Sequence, residues 1–377
     1  MTLGTFLGGS WASLGIGSGL ILFLGIWAFE RGHIPINKHI IYSVLGVLAV
    51  MVLLDTQSTS PNVSWHILLQ EVTIMIPLAL LFSPRVIAHI DTPNFFPVVS
   101  AAAAMGAFAY GLEFEAGFPI LHAMKGMTAS VTEYNRGASY LAVFSFPLMG
   151  YLWIKGLRWQ AVTFTALMLI PVMFTESRAT RLAFFLGLAI TISAHILPNL
   201  TRRGLIGLLT LLITFPFIIT TAYIQHPQWV ADLPPSWHHR VEIWDYMSYR
   251  IFEKPWLGWG LGSSHLLPYA LPHGLTYEYV KQAASHPHNA AIQLWVELGI
   301  VGLAMSAIIA VTLLQKAARF ASPVIPFALG TWAAALCISS VAYSFWDDSL
   351  FSLFSMTMVA LIILSKQTKE IQNGTTA

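Results

Sequence analysis

SHPHNAAIQLWVELGIVGLAMSAIIAVTLL, residues 285–314, runs two imidazoles and an amide straight into a long apolar stretch. A helix needs about 20 apolar residues to cross the hydrocarbon core of a bilayer, and the stretch from Ala290 to Leu314 supplies them. Ser285-His286-Pro287-His288-Asn289 therefore falls where a membrane helix meets water. An ordinary membrane anchor has no need of such groups there.

The same reading, carried outward, finds eleven such runs: Trp11 to Phe29, Ile40 to Leu54, Ile67 to Phe82, Phe96 to Tyr110, Tyr140 to Ile154, Ala161 to Phe174, Leu182 to Leu197, Leu205 to Ile224, Ala290 to Leu314, Val324 to Ala342 and Leu350 to Leu364. Of the 377 residues, 56% are hydrophobic and 10% charged, and the mean hydropathy is positive, a composition foreign to soluble globular domains. A spanning β-barrel would show segments of about 10 residues with alternating polarity, whereas these runs are continuously apolar. The expected fold is an all-α polytopic membrane protein of about 11–12 transmembrane helices. No basic region or small-residue cleavage site precedes the first run, so it is expected to stay in the membrane. The lone cysteine, Cys337, lies inside a predicted helix and excludes an internal disulfide.

Lys and Arg in short loops set orientation. One set of loops holds Arg31, Lys38, Arg85, Lys155, Arg158, Arg202, Arg203, Lys316, Arg319, Lys366 and Lys369; the opposite set holds only Lys125, Arg136, Arg178 and Arg181. The first set is expected to be cytoplasmic, which puts the segment 225–289 outside. Residues 1–377 read as one membrane domain with 225–289 as its large external loop. Within that loop, Trp237 to Phe252 has the spacing of an amphipathic helix with Arg240, Trp244, Met247 and Ile251 on one face. Lys254-Pro255 ends it, and Gly258-Trp259-Gly260-Leu261-Gly262 follows as a tight turn. No strand precedes this turn, which rules out a nucleotide-binding fingerprint. The segment Glu113 to Ala138 fits either a re-entrant or a surface helix.

Four residues draw attention as chemistry. Arg178 and Arg181 share a helical face at the outer end of a span, against the usual bias that keeps cations off external loops, and their position asks for an anion. Snorkelling toward Glu176 or lipid headgroups is the plainer alternative for either one. Arg240 shares its face with packing residues, which points its guanidinium inward; its planar fork suits phosphate better than an ammonium does. A solvated arginine paired with Glu242 is the alternative. His288 stands at the amino end of a helix, can take a proton from a hydroxyl or bind a phosphate, and has Asn289 beside it as a plausible N-cap. Asn289, Gln293 and Glu297 form one polar stripe down that helix, with a buried structural hydrogen bond the expected role of Glu297. His286 is a supporting candidate, and Asp347 and Asp348, at another outer boundary, are placed to orient His288 or Arg240 or to be solvated loop acids. The sequence holds no Asp-x-Asp pair, P-loop or histidine pair at metal-ligand spacing, so no metal and no cofactor is expected.

The run from His286 to Leu303, together with Arg240-Val241-Glu242-Ile243-Trp244 and Lys254-Pro255-Trp256-Leu257-Gly258-Trp259-Gly260-Leu261-Gly262, resembles the signature of the O-antigen ligase and O-antigen polymerase superfamily. The resemblance implies a GT-C-like fold in the bacterial inner membrane, with the active site facing the periplasm. It implies a glycosyltransferase that moves a glycan from undecaprenyl pyrophosphate, with Arg178 or Arg181 and Arg240 on the pyrophosphate and His288 activating the acceptor hydroxyl. The expected partners are that lipid-linked donor, a lipid A core acceptor and membrane lipids; nucleic acid is not among them. O-antigen ligase is the preferred activity, with inversion at the anomeric carbon the simplest outcome. A polymerase joining lipid-linked repeats is the alternative within the superfamily, and a lipid-linked glycan transporter the alternative outside it, disfavoured because the chain lacks two related halves. The charge asymmetry yields a direct test of orientation. A reporter active only outside the cytoplasm should be active when fused near His273 and silent when fused after Lys369, and the reverse pattern would sink the assignment.

Overall fold

The computed structural model describes residues 38–55, 58, 65, 67–68, 92–127, 131–225, 228, 234–267 and 286–374. Among them the elements are helical throughout, with no strand: α1 (Lys38–Asp55), α2 (Thr92–Glu115), α3 (Pro119–Lys125), α4 (Tyr134–Ile154), α5 (Arg158–Phe174), α6 (Arg178–Ile196), α7 (Pro198–Gln225), α8 (Pro235–Glu253), α9 (Ala290–Ala317), α10 (Ile325–Val341) and α11 (Asp348–Gln372). The predicted runs Trp11 to Phe29 and, beyond residues 67 and 68, Ile67 to Phe82 lie outside the described residues; each of the others falls on one helix. Within the described residues, six helical segments are long and apolar enough to cross a membrane, on α2, α4, α6, α9, α10 and α11, and α5 is a shorter apolar helix. The chain is an all-α polytopic membrane protein.

The core forms around α4. Of its most apolar window 83% is buried, against 33% for those of α2 and α6, so α4 is the central helix and the latter two present more of their surface outward. Phe144, Phe146 and Leu148 of α4 pack with Phe164 and Met168 of α5, Phe184 of α6, Leu329 of α10 and Ile363 of α11 in one continuous apolar cluster. The segment 113–138 holds the short helix α3. Its first turn is capped by the buried Glu113, whose carboxylate accepts from the backbone N–H of Ile120 at 3.2 Å and of Leu121 at 2.8 Å, and from the Tyr134 hydroxyl at 2.7 Å.

Two features position the functional end of the bundle. The first is a close crossing of α6 and α10, where a Cβ on Gly330 would lie 2.0 Å from Thr191 Oγ1 and 2.7 Å from the Gly187 carbonyl oxygen. In lipid, apolar side chains gain little by leaving the solvent, so small residues that let backbones approach supply much of the packing.

The second is a break in α9 at Gly299, which adopts φ 66 and ψ −168. An intact helix would pair the Val296 carbonyl with the Ile300 N–H; instead Val296 accepts from the Trp259 N–H at 2.9 Å, Glu297 accepts from Gly260 at 2.8 Å, and Ile300 donates to Pro255 at 2.9 Å. The glycine-rich turn predicted after α8 thus supplies the partners the broken helix lacks. Both sides need glycine: a Cβ on Gly299 would lie 2.1 Å from the Trp256 carbonyl oxygen, and one on Gly258 2.4 Å from the Glu297 carbonyl carbon.

The crossing carries a test. Gly330→Val and Gly187→Val should each destabilise the bundle by about 1–3 kcal/mol or more through overpacking. Gly207→Val on α7, where an added Cβ meets nothing within 4 Å, should be tolerated far better. Thermal unfolding in detergent measures the difference, and equal midpoints for the three variants would contradict the packing argument.

Candidate functional site

The site forms where α8, the start of α9, the start of α6 and the turn between α10 and α11 meet. On α8, Trp244, Met247 and Ile251 are buried, as the spacing predicted, and pack with Ile292 and Val296 of α9. The Trp244 indole N–H donates to the Pro287 carbonyl at 2.9 Å, which fastens α8 to the His-Pro-His segment. Asn289 is the N-cap of α9: it is buried, and its Oδ1 accepts from the Ile292 N–H at 3.0 Å.

His288 is held by the far end of α10. Its Nδ1 lies 2.9 Å from the carbonyl oxygen of Ala342, a group past the end of α10 and so without a helical partner of its own. A carbonyl only accepts, so Nδ1 carries the proton and Nε2 is left as an acceptor. Residue 288 turns into the helix through left-handed backbone, with φ 51. The His286 ring lies 4.2 Å from that of His288, centre to centre, and its Nε2 is 3.4 Å from the same carbonyl. A third ring, His239 of α8, stands 6.5 Å from His288.

The electrostatics are those of a neutral imidazole cluster beside cations. Burial pushes the His288 pKa down to about 3, and neighbouring His286 and Arg240 add to the effect. His286 and His239 are lowered too, chiefly by burial, with Arg240 contributing to each. Arg240 is itself lowered, first by burial and then by the like charge of Arg178. The two guanidinium groups thus come near enough to repel.

Arg178 and Arg181 part company here. Arg178 is the first residue of α6, exposed, just after the N-cap Ser177, whose Oγ accepts from the Thr180 N–H at 3.2 Å. Arg181 turns back: its Nη2 donates to the carbonyls of Met173 at 3.0 Å and Thr175 at 2.5 Å, capping the end of α5. Of the pair, Arg178 is the one that reaches Arg240 electrostatically.

Of the acids, Asp347 pairs with Arg136, at the start of α4, at 3.0 Å, and raises the His286 pKa against the larger effect of burial. Asp348 begins α11; its side chain lies outside the described residues. Glu297 is fully buried, and its carboxylate accepts from the Gly262 N–H at 2.9 Å, the Gln293 amide at 3.3 Å and the Trp346 indole N–H. It joins the glycine turn, α9 and the α10–α11 turn in one knot, the structural role expected of it. Three contributors escaped the sequence reading: Arg136, His239 and the Ala342 carbonyl. Arg136 did carry a signal, since it stood among the few cations on the sparsely charged side. No spacing rule could have brought the other two to the histidine. Among the described residues, no group of three or more His, Cys, Asp or Glu is arranged to hold a metal ion.

Beside this site an apolar cavity of about 460 Å³ runs into the bundle, past Leu294, Leu298, Phe345 and Trp346 toward Trp332 and Leu361.

A known family matches the region that holds this site. Residues 163–307 match the family model described as O-antigen ligase. A protein of Rickettsia felis described as a putative polysaccharide ligase is 31% identical over 176 residues, covering 45% of this chain and 42% of that protein. Similarly described proteins of Rickettsia conorii and Rickettsia typhi are 30% and 29% identical, covering 45% of this chain and 42% and 43% of theirs. The matched part thus spans well under half the length of these relatives. The resemblance read from the motifs and the family match agree, and Arg178, Arg181, Arg240 and His288 all fall within the matched residues 163–307.

The protonation state of His288 is testable. Its folded pKa lies below the unfolded value of about 6.5, so the unfolded chain binds more protons in acid. The contribution to stability is complete above about pH 6.5 and is lost as the pH falls toward 3, at up to about 1.4 kcal/mol per pH unit. In ¹⁵N-histidine spectra of the protein, assigned by comparison with His288→Gln, His288 should remain neutral with a bare Nε2 from pH 8 to pH 5. A doubly protonated ring above pH 5 would contradict this.

Proposed function

We propose that this chain, whose residues 163–307 match the family model described as O-antigen ligase, is a glycosyltransferase that moves a glycan from undecaprenyl pyrophosphate to a lipid A core acceptor. The reading places it in the bacterial inner membrane with the site facing the periplasm. The observation that carries it is a histidine whose Nδ1 is held by the Ala342 carbonyl, leaving Nε2 to accept, with the charge of Arg240 acting on it and that of Arg178 acting on Arg240 in turn. Two like charges brought together next to a neutral base favour an anion with a hydroxyl beside it, and a sugar pyrophosphate with its acceptor supplies both.

In the reaction proposed, the acceptor hydroxyl attacks the anomeric carbon as the bond from that carbon to the pyrophosphate oxygen breaks. Negative charge builds on the leaving oxygen, where Arg178 and Arg240 stabilise it without rearranging. The hydroxyl proton passes to Nε2 of His288, and attack opposite the leaving group inverts the anomeric centre. An imidazole with a pKa near 3 is by itself a weak base. Pyrophosphate between the arginines offsets the repulsion by Arg240 of a proton on His288, so the base gains strength when the donor is bound. Arg181 supports Arg178 by fixing the end of α5, Asn289 sets the direction of α9, and His286 shares the carbonyl that orients His288. Asp347 acts through Arg136 on the α10–α11 turn. The apolar cavity suits the polyprenyl tail, since α9, α10 and α11, three helices apolar enough to cross a membrane, supply much of its lining. The ligase reading is preferred to a polymerase because the similar proteins are described as polysaccharide ligases.

Purified full-length protein in vesicles, given lipid-linked glycan and acceptor, tests the assignment. Arg178→Ala and Arg240→Ala should each lower transfer by about 10²-fold or more, with Lys a poor substitute because it lacks the bidentate fork; His288→Ala should cost roughly 10²–10⁴-fold. Normal rates in these variants would overturn the mechanism. In cells, His288→Ala should leave long lipid-linked polymer unattached and the lipid A core bare. A core carrying a single repeat would instead identify a polymerase.

A further inference from the structure

The sequence reading leaves the segment between α7 and α9 as an external loop in water, yet part of it lies deeper. Pro255 to Gly260 runs against residues 296–300 of α9 through the three backbone hydrogen bonds at the break, and the Trp295 indole N–H adds a fourth to the Pro255 carbonyl at 3.3 Å. One turn higher on α9, the Gln293 amide donates to Ser344 Oγ at 3.0 Å and accepts from the Phe345 N–H at 2.8 Å. That turn joins two candidate spans, Ser322–Val341 and Leu350–Gln372, and so marks the level at which they leave the membrane. Pro255 to Gly258 therefore sits at or just below the ends of the spans.

The length of α9 independently gives a level about 9 Å further along the helix. Its 28 residues extend about 42 Å at 1.5 Å per residue, well beyond the roughly 30 Å hydrocarbon layer. The part after the break, from Ile300 to Ala317, extends about 27 Å and fills that layer. The boundary on the site side then falls near Gly299, against which Trp256 is packed.

At this depth the surface is apolar and aromatic. Phe252 and Trp256 are each 72% exposed, with Leu257 at 45% and Tyr249 at 42%. Tyr249, Phe252 and Trp256 follow one another at spacings of three and four residues, and Val301, two residues past the break in α9, is exposed as well. Lys254 stands at the end of α8 with its Nζ 4.3 Å from the centre of the Trp259 ring. Tryptophan, tyrosine and a flanking cation are the side chains that settle at headgroup depth.

We propose that the carboxyl-terminal end of α8 and the turn after it, presenting Tyr249, Phe252, Trp256 and Leu257, are seated in the headgroup layer of the site-side leaflet. The partner of this surface is the phospholipid interface itself. The contact fixes the height of α8, and with it the height of Arg240 above the bilayer.

Nitroxide accessibility in the full-length protein measures this. Labels are placed at Phe252→Cys and Trp256→Cys, and at His265→Cys as a control on an exposed short turn. The variants are made in a Cys337→Ser background, or with the buried Cys337 retained if that change impairs folding. They are reconstituted in phosphatidylethanolamine–phosphatidylglycerol vesicles. Labels at 252 and 256 should be relaxed more by oxygen than by an aqueous nickel chelate, and the label at 265 more by the chelate. Chelate-dominated relaxation at 252 and 256 would mean a water-exposed loop and overturn the proposal. So would low accessibility to both reagents, or dipolar broadening between copies, which would mean a protein partner. Tyr249→Cys and Leu257→Cys give the same reading if either first label prevents folding.

Discussion

Everything at the functional end depends on the three hydrogen bonds that cross the break in α9. A peptide group left unpaired in lipid costs several kcal/mol, so a membrane helix breaks only where another segment offers replacements. Trp259, Gly260 and Pro255 make that offer, and the buried carboxylate of Glu297 secures it by binding the next turn of the same segment and Trp346 across the way. The segment after α8 is thereby tied to α9, and α8 carries Arg240. The break converts a local backbone irregularity into a fixed relation between an arginine on one helix and a histidine at the head of another.

The charges at the site make sense only together. Burial alone would keep the imidazoles neutral, and two neighbouring guanidinium groups alone would repel each other and any proton. Combined, they describe a site whose charge suits an anion. Arg136 and Asp347, joined at 3.0 Å, lie to the side of this arrangement and settle their charges on each other. That leaves the turn beyond α10 to bear on the histidines mainly through the Ala342 carbonyl.

The helical architecture was legible because hydropathy and length are local properties: the runs that define α2, α4, α9, α10 and α11 need nothing beyond their own residues. The face of α8 was legible for the same reason, since a period of 3.6 fixes which side chains travel together. Asn289 as N-cap and Glu297 as a buried acceptor followed from their place on one helix. The break at Gly299 was not legible, because a glycine in an apolar run reads as a mild helix weakener until its contact with Trp256 is known. The different fates of Arg178 and Arg181 were hidden for a related reason. Three-residue spacing puts both on one face, and only the position of the last α5 carbonyls turns Arg181 away. His239 and Ala342 reach His288 from helices remote in sequence, a meeting that no periodicity encodes.

The glycine crossing of α6 and α10 bears on how the site can change shape. Arg178 stands nine residues before Gly187, about 14 Å along α6, and Ala342 stands twelve residues after Gly330, about 18 Å along α10. Two rods clamped that tightly at one point move as one body, so the cation at the tip of the first and the carbonyl at the tip of the second form a fixed jaw. Arg240 rides on the opposing jaw. The gap between the jaws is then set at two points, by this crossing on one side and, on the other, by the backbone bonds at Gly299 that hold the segment after α8.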